Sequence, residues 1–281
     1  MKSFLLAIMV PFMLALSGCV ADQGVEAITD TLVIAGSTTV TPLMRVLQET
    51  YMNATTTHID IQEIGTSGGI NATLDGISDI AMASRSLTAD EQARGLNPVP
   101  IAMDGVAVIV HHTNPVDNLT LTQIEGIFRG EIRNWSEVGG HDAPITVVSR
   151  ELGSGMRTTF ESFSNVRETF YINGHDVWIS AVYPHALVSS GTGGVLNAVS
   201  GNTNAIGYLT TGIENPLIRP VAINGVRFSV ETAQDGTYPF ANVFYLGLMS
   251  DPSPASTAFV QWILSEEGQQ TVADAEFVPI N

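Results

Sequence analysis

Of cysteine and lysine the 281 residues hold one each, Cys19 and Lys2. A lone cysteine excludes an internal disulfide and any metal cluster built on thiolates. With lysine gone from the body of the chain, arginine is its only fixed cation; 11 basic residues face 28 acids, for a net charge of −17. Such a surface repels nucleic acid and anionic lipid, so no nucleic-acid partner is expected. Histidines are few, and His58, His111, His112, His141, His175 and His185 show no ligand spacing. Adjacent His111 and His112 are expected to point apart along a strand. No metal site and no cofactor is expected. Tandem repeats and low-complexity blocks are also missing. What remains is a chain with 44% hydrophobic residues, able to bury a real core and long enough for two lobes.

The first segment reads as export. Lys2 precedes the apolar run Phe4 to Leu16, too short to span a bilayer comfortably, and Leu16-Ser17-Gly18-Cys19 follows. This resembles the lipobox of secreted lipoproteins, whose cysteine becomes the lipid-bearing first residue. Residues 1–18 are then a signal peptide, Cys19 the lipid anchor and 19–27 an acidic tether, placing the chain on the outer face of the cell membrane.

The stretch that organises the rest is Ser149-Arg150-Glu151-Leu152-Gly153-Ser154-Gly155-Met156. A β-branched run, Ile145 to Val148, precedes it, and Met156, Thr159, Phe160 and Phe163 follow at helical spacing. The Gly-Ser-Gly therefore sits on a strand-to-helix turn, where the first helical N–H groups lack intrahelical partners and the positive dipole end points outward. An oxyanion fits there. Gly153 and Gly155 allow close backbone approach, Ser154 adds a hydroxyl, and Arg150 adds a fork of N–H donors. In an acidic protein such a site must be local, built from aimed donors.

Three further strands end in hydroxyl-bearing turns. Thr31 to Ala35 runs into Gly36-Ser37-Thr38-Thr39-Val40, Ile59 to Ile64 into Gly65-Thr66-Ser67-Gly68-Gly69, and Asp79 to Ala83 into Ser84-Arg85. Pro100 to Val110 reads as a long strand interrupted at Asp104-Gly105. A last glycine-rich turn, Ser189 to Gly194, is open to contact with ligand, with a mobile rim loop the expected reading; Ile218 to Ile223 and Gly225 to Val230 are expected to be strands. Strands alternating with helices predict α/β architecture with ligand at the carboxyl ends of the strands.

Taken in order, these motifs, with Ile127-Phe128-Arg129-Gly130, Asn134-Trp135-Ser136, Ile206-Gly207-Tyr208 and Gly236-Thr237-Tyr238-Pro239, resemble the phosphate-binding component of the ABC-type phosphate transporter. The resemblance implies a two-lobed periplasmic-binding-protein fold (type II-like) that closes on inorganic phosphate, with the permease subunits of the importer as partner. It places one lobe at 28–109 plus 238–281 and the other at 110–237, with crossings near Val110 and Tyr238. Carried over position by position, it assigns phosphate contacts to Ser37, Thr38, Thr39, Thr66, Ser67, Ser84, Arg150, Gly153, Ser154 and Gly155. Arg85, standing where one branch of the family has aspartate, and Asp104, where that branch has glycine, are also expected to be phosphate contacts, an exchange that leaves their pairing open. Met156 replaces the usual threonine, so only its backbone N–H can serve.

Another oxyanion such as sulfate is the alternative ligand. A carboxylate facing the ligand, with Asp104 the candidate, would favour phosphate, which has a proton to donate where sulfate has none. A secreted phosphohydrolase would need a nucleophile, a base and usually metal; Ser154 lacks the Gly-x-Ser-x-Gly elbow. A surface lipoprotein that kept the fold but lost the ligand is the third reading. The chain is expected not to be an enzyme.

Overall fold

The computed structural model describes residues 31–172 and 175–280. The expected signal peptide, Cys19 and the tether lie outside them. In chain order the elements are β1 (Thr31–Gly36), α1 (Thr41–Ala54), β2 (His58–Glu63), α2 (Thr66–Leu74), β3 (Ile80–Ala83), α3 (Ala89–Ala93), β4 (Leu96–His111), β5 (Asn118–Leu119) and α4 (Leu121–Arg129). Then come β6 (Thr146–Arg150), α5 (Gly155–Phe163), β7 (Arg167–Ile172), β8 (His175–Ser180), β9 (Leu187–Ser189), α6 (Gly191–Ser200) and β10 (Ala205–Thr210). The chain finishes with β11 (Ile218–Pro220), β12 (Ala222–Ile223), α7 (Val230–Gln234), β13 (Ala241–Met249), α8 (Pro254–Ile263) and α9 (Glu266–Asp274).

One sheet runs through the molecule in the order β2-β1-β3-β13-β4-β10-β6-β9, with β11 also on β4. β1, β2 and β3 are parallel, as are β10, β6 and β9, so each half sends its helices off the same ends of its strands. The link is β4. Its first ten residues, Leu96 to Gly105, pair with β13, and Val106 to Val110 pair with β10. The hydrophobic core changes at the same place: Ile101 and Ala102 pack with Leu32, Met44, Phe244 and Phe259, whereas Val106 and Val108 pack with Phe128, Phe160, Tyr208 and Phe240. Asp104-Gly105 thus marks an exchange of partners inside one continuous strand. Gly105 is required there because a Cβ would lie 2.4 Å from the Phe228 ring.

Most local expectations hold for local reasons. Pro42 opens α1, which buries Leu43, Met44, Leu47 and Tyr51; α4 buries Ile124, Ile127 and Phe128 and stops at Gly130 in the left-handed region. Trp135 is buried packing, its indole N–H donating to the Asn204 carbonyl at 2.9 Å. Three readings need correction. Residues 225–229 form no strand, because Asn224 and Gly225 take positive φ and turn the chain before α7. The His111 and His112 rings lie 4.5 Å apart, since β4 ends at His111 and the backbone turns there. The Gly-rich 191–194 segment is the first turn of α6 and not a loop. The β7–β8 hairpin carried no signal that distinguished it.

Candidate anion-binding site

Four helix N-termini, those of α1, α2, α5 and α6, meet where the two cores face each other. From the first half come the turns after β1, β2 and β3. Ser37 is buried and donates from Oγ to Ser84 Oγ at 2.9 Å, while Thr66 Oγ1 lies 3.3 Å from Ser84 Oγ and accepts from the Ser84 N–H. The Thr39 N–H donates to Ser37 Oγ at 3.2 Å, which holds that turn closed.

The second half supplies β6 and α5. Ser154 caps α5, accepting from the Arg157 N–H, so the N–H groups of Gly155 and Met156 are those without an intrahelical acceptor. The Met156 side chain points the other way, into the core beside Phe160. Gly155 sits against the first half so closely that a Cβ would lie 2.4 Å from Thr66 Oγ1 and 2.6 Å from Ser84 Oγ. The Ser67 N–H donates across to the Gly153 carbonyl at 3.1 Å, and Thr159 Oγ1 to the Ser84 carbonyl at 3.0 Å. Asn242 Nδ2 reaches the same carbonyl from β13.

Arg150 is the cation of this place, and only 2% of it is exposed. Its Nε and Nη2 grip both carboxylate oxygens of Glu151 at 2.8 Å, and Nη2 also donates to Thr38 Oγ1 at 3.1 Å. Its Nη1 is buried with no hydrogen-bond partner among the described residues. Burial pushes the Glu151 carboxyl up, but the hydrogen bonds and charge of Arg150 outweigh that and hold it below the usual range. Glu151 also accepts from the Gly191 N–H at 3.2 Å, and the Thr192 N–H and hydroxyl both meet Thr38 Oγ1. Behind the site, Tyr208 OH accepts from the Arg150 N–H and pairs with Ser149 Oγ.

Of the expected residues, then, Ser37, Thr38, Thr39, Thr66, Ser67, Ser84, Arg150, Gly153, Ser154 and Gly155 converge. Arg85 does not join them: it pairs bidentately with Glu91 at 2.7 and 2.9 Å and donates to the Ser86 carbonyl, leaving the capping box of α3 as its anchor. Nor does it pair with Asp104, whose two carboxylate oxygens accept from the Thr210 and Thr211 hydroxyls. Glu151 and Asn242 were missed, and Gly191 and Thr192 were read as a rim loop in preference to a ligand contact. A signal existed for Gly191-Thr192, which repeat the Gly-hydroxyl-helix pattern of the other turns; none existed for Glu151, whose partner could be any arginine.

Burial, opposed in part by the two threonine hydroxyls, pushes the Asp104 carboxyl up to about 6. Its unfolded value is about 3.9. Between these limits the folded state binds more protons, so stability falls as pH rises from about 4 to 6 and is level above. The contribution is on the order of 3 kcal/mol, at about 1.4 kcal/mol per pKa unit. Asp104→Asn is expected to lose that slope. Urea unfolding of both chains at pH 4 and pH 6.5 measures it; a constant difference between the two would show that Asp104 does not titrate there.

No group of three or more His, Cys, Asp or Glu among the described residues is placed to hold a metal ion. Buried hydroxyls, free helix N–H groups and one unsatisfied guanidinium edge make a site for an oxyanion, set between two halves that clasp it.

Comparison with known proteins agrees with this chemistry. Residues 21–267 match the PBP superfamily domain. The phosphate-binding protein PstS of Pseudomonas aeruginosa is 27% identical over 288 residues, covering 92% of this chain and 85% of that protein. A Clostridium perfringens structure with bound phosphate, described as a phosphate ABC transporter substrate-binding protein, superposes with a TM-score of 0.82 at 36% identity, over 89% of this chain and all of that one. An ABC-type phosphate transport receptor from Vibrio cholerae gives 0.71 at 32% identity, over 88% and 99%. The chain belongs to the periplasmic-binding-protein superfamily and, within it, to the substrate-binding components of phosphate ABC transporters.

Proposed function

We propose that this chain is an extracytoplasmic receptor that closes on one inorganic phosphate and delivers it to an ABC importer. The buried, unpartnered Nη1 of Arg150 carries the reading, because a charged donor cut off from water is costly unless an anion accepts from it. Ser37, Thr38, Thr66, Ser84, Ser154 and the N–H groups of Gly155 and Met156 complete the donor set. Thr192 and Glu151 join as groups that hold the cleft. The lobes divide where the cores do, between Ala102 and Val106 and between Phe240 and Phe244, inside the crossings expected near Val110 and Tyr238. Cys19 serves as the lipid anchor, tested by whether Cys19→Ala releases the exported chain from the membrane fraction.

Selectivity follows from charge. Arg150 is already matched by Glu151, so the site offers no net positive charge and depends on aimed dipoles. The carboxylate beside the arginine is that of Glu151 rather than Asp104. A protonated oxyanion can donate to its spare lone pairs, whereas sulfate meets lone pair with lone pair. Calorimetric titration at neutral pH, on chain stripped of bound anion, should show saturable one-to-one phosphate binding that excess sulfate does not displace. Displacement by sulfate would keep the receptor and remove the selection by carboxylate; absence of heat with every oxyanion from folded protein would end the phosphate reading.

A further inference from the structure

Asp104 is fully buried and takes no part in the donor set of the cleft. No cation pairs with it among the described residues; its two oxygens accept from the Thr210 and Thr211 hydroxyls. A carboxylate kept from water without a counter-charge is costly, so its place calls for a reason. That place is the crossing between the halves. Asp104 pairs in register with Asn242 of β13, and two residues on Val106 pairs with Thr210 of β10. Its backbone therefore belongs to the first half and its side-chain partners to the second. Thr211 adds two bonds to the next residue: the Gly105 N–H donates to Thr211 Oγ1 at 3.2 Å, and the Thr211 N–H to the Gly105 carbonyl at 3.0 Å. Gly212 continues this contact onto the first core, where a Cβ would lie 2.9 Å from the Phe277 ring. Across the strand pair, Asn242 donates to the Ser84 carbonyl, which Thr159 reaches from α5.

We propose that Asp104 is a positioning residue for closure: through Thr210 and Thr211 it clasps the second half to the first at the crossing and sets the angle at which the cleft shuts on phosphate. The inference rests on the receptor reading. Rotation of the second half carries Thr210 and Thr211 along with β10, while Asp104 stays in register with β13, so opening draws the hydroxyls away from the carboxylate. Hydrogen bonds to an ionised acceptor are roughly twice as strong as neutral ones and depend steeply on angle. The clasp thus holds the shut form without touching the ligand. Phosphate enters an open cleft, where the clasp is not yet made, so its effect falls on release and not on entry.

The test measures phosphate association and release by stopped flow, at mildly alkaline pH where Asp104 is ionised. Asp104→Asn turns a donor toward the Thr211 hydroxyl, which already accepts from Gly105, and should release phosphate about tenfold faster with association within about twofold of native. Thr210→Val should do the same, whereas Thr210→Ser, which keeps the hydroxyl, should stay within about twofold of native. Because both changes break one clasp, Asp104→Asn/Thr210→Val should release no more than about twofold faster than either single variant. Lower stability in urea with native release rates would make Asp104 a residue of the fold and overturn the proposal, as would effects that multiply in the double variant. A native chain that binds no phosphate overturns the receptor reading instead. Should the variants misfold, hydrogen exchange on the native chain decides: phosphate should slow exchange of the Thr211 amide more than that of Tyr208, inside β10, and equal slowing overturns the clasp.

Discussion

Arg150→Ala is expected to weaken phosphate binding by roughly three orders of magnitude. Two losses combine. The oxyanion forfeits the free Nη1 donor, a charge-assisted hydrogen bond of about 1.5–3 kcal/mol. Glu151, which now shares both oxygens with Arg150, is left as an uncompensated carboxylate beside the ligand. Removing one partner of a fully buried pair costs about 3–5 kcal/mol; Glu151 is 29% exposed and partly screened by water, so this loss is smaller, comparable with that of the donor. Neutralising Glu151 should give part of the second loss back: Arg150→Ala/Glu151→Gln is expected to bind about tenfold more tightly than Arg150→Ala, near 1.4 kcal/mol. Arg150→Lys should fall between native and alanine, since an ammonium cannot fork a carboxylate and present a third donor in one plane. Titration calorimetry on the four chains measures all of this. A dissociation constant for Arg150→Ala within tenfold of the native value would place the ligand away from this arginine.

Gly155→Ala is expected to separate closure from folding. The position is the first residue of α5, where alanine suits a helix better than glycine, by up to about 1 kcal/mol. Stability of the unliganded chain should hold or rise. Closure is another matter, because the new methyl would meet Thr66 Oγ1 and Ser84 Oγ from the opposing half well inside contact distance. Either the hydroxyls turn away or the halves stop short. Overpacking of this kind costs about 1–3 kcal/mol, and the cross-cleft bonds from Ser67 to Gly153 and from Thr159 to Ser84 stretch with it. Affinity should drop roughly 30- to 1,000-fold, taking about 2–4 kcal/mol in all. Calorimetry and urea unfolding on the same variant check both halves of the expectation. Native affinity would mean that the cleft has slack the packing does not show; a parallel loss of stability would mean that Gly155 serves the fold and not the closure.

Much of the site was legible because its signals are local. A glycine and a hydroxyl between a β-branched run and an amphipathic one identify a helix N-terminus from a few adjacent residues, and backbone N–H groups point along the helix whatever lies nearby. That is why Ser37, Thr66 and Ser154 were found, and why four such turns in one acidic chain implied a common anion. Met156 followed the same logic, its backbone in the turn and its side chain in the core.

Directions of long side chains were not legible. Arg85 and Arg150 both close short strands, yet one folds back onto Glu91 in the next helix's cap, six residues on, and the other is held by its neighbour Glu151 with one edge left free. The sequence offers each arginine many acids, and only packing chooses. Asp104 likewise found its donors more than a hundred residues away, in Thr210 and Thr211, and Thr38 met Thr192 across 154 residues. By itself, then, the sequence determined the α/β class, the anion-cradling turns and the kind of ligand they accept, because these rest on propensity and backbone dipoles within a few residues. Only the tertiary structure decided which arginine keeps a free edge in the cleft, which carboxylate stands beside it and how tightly the halves close, because those depend on contacts between segments that the chain brings together last.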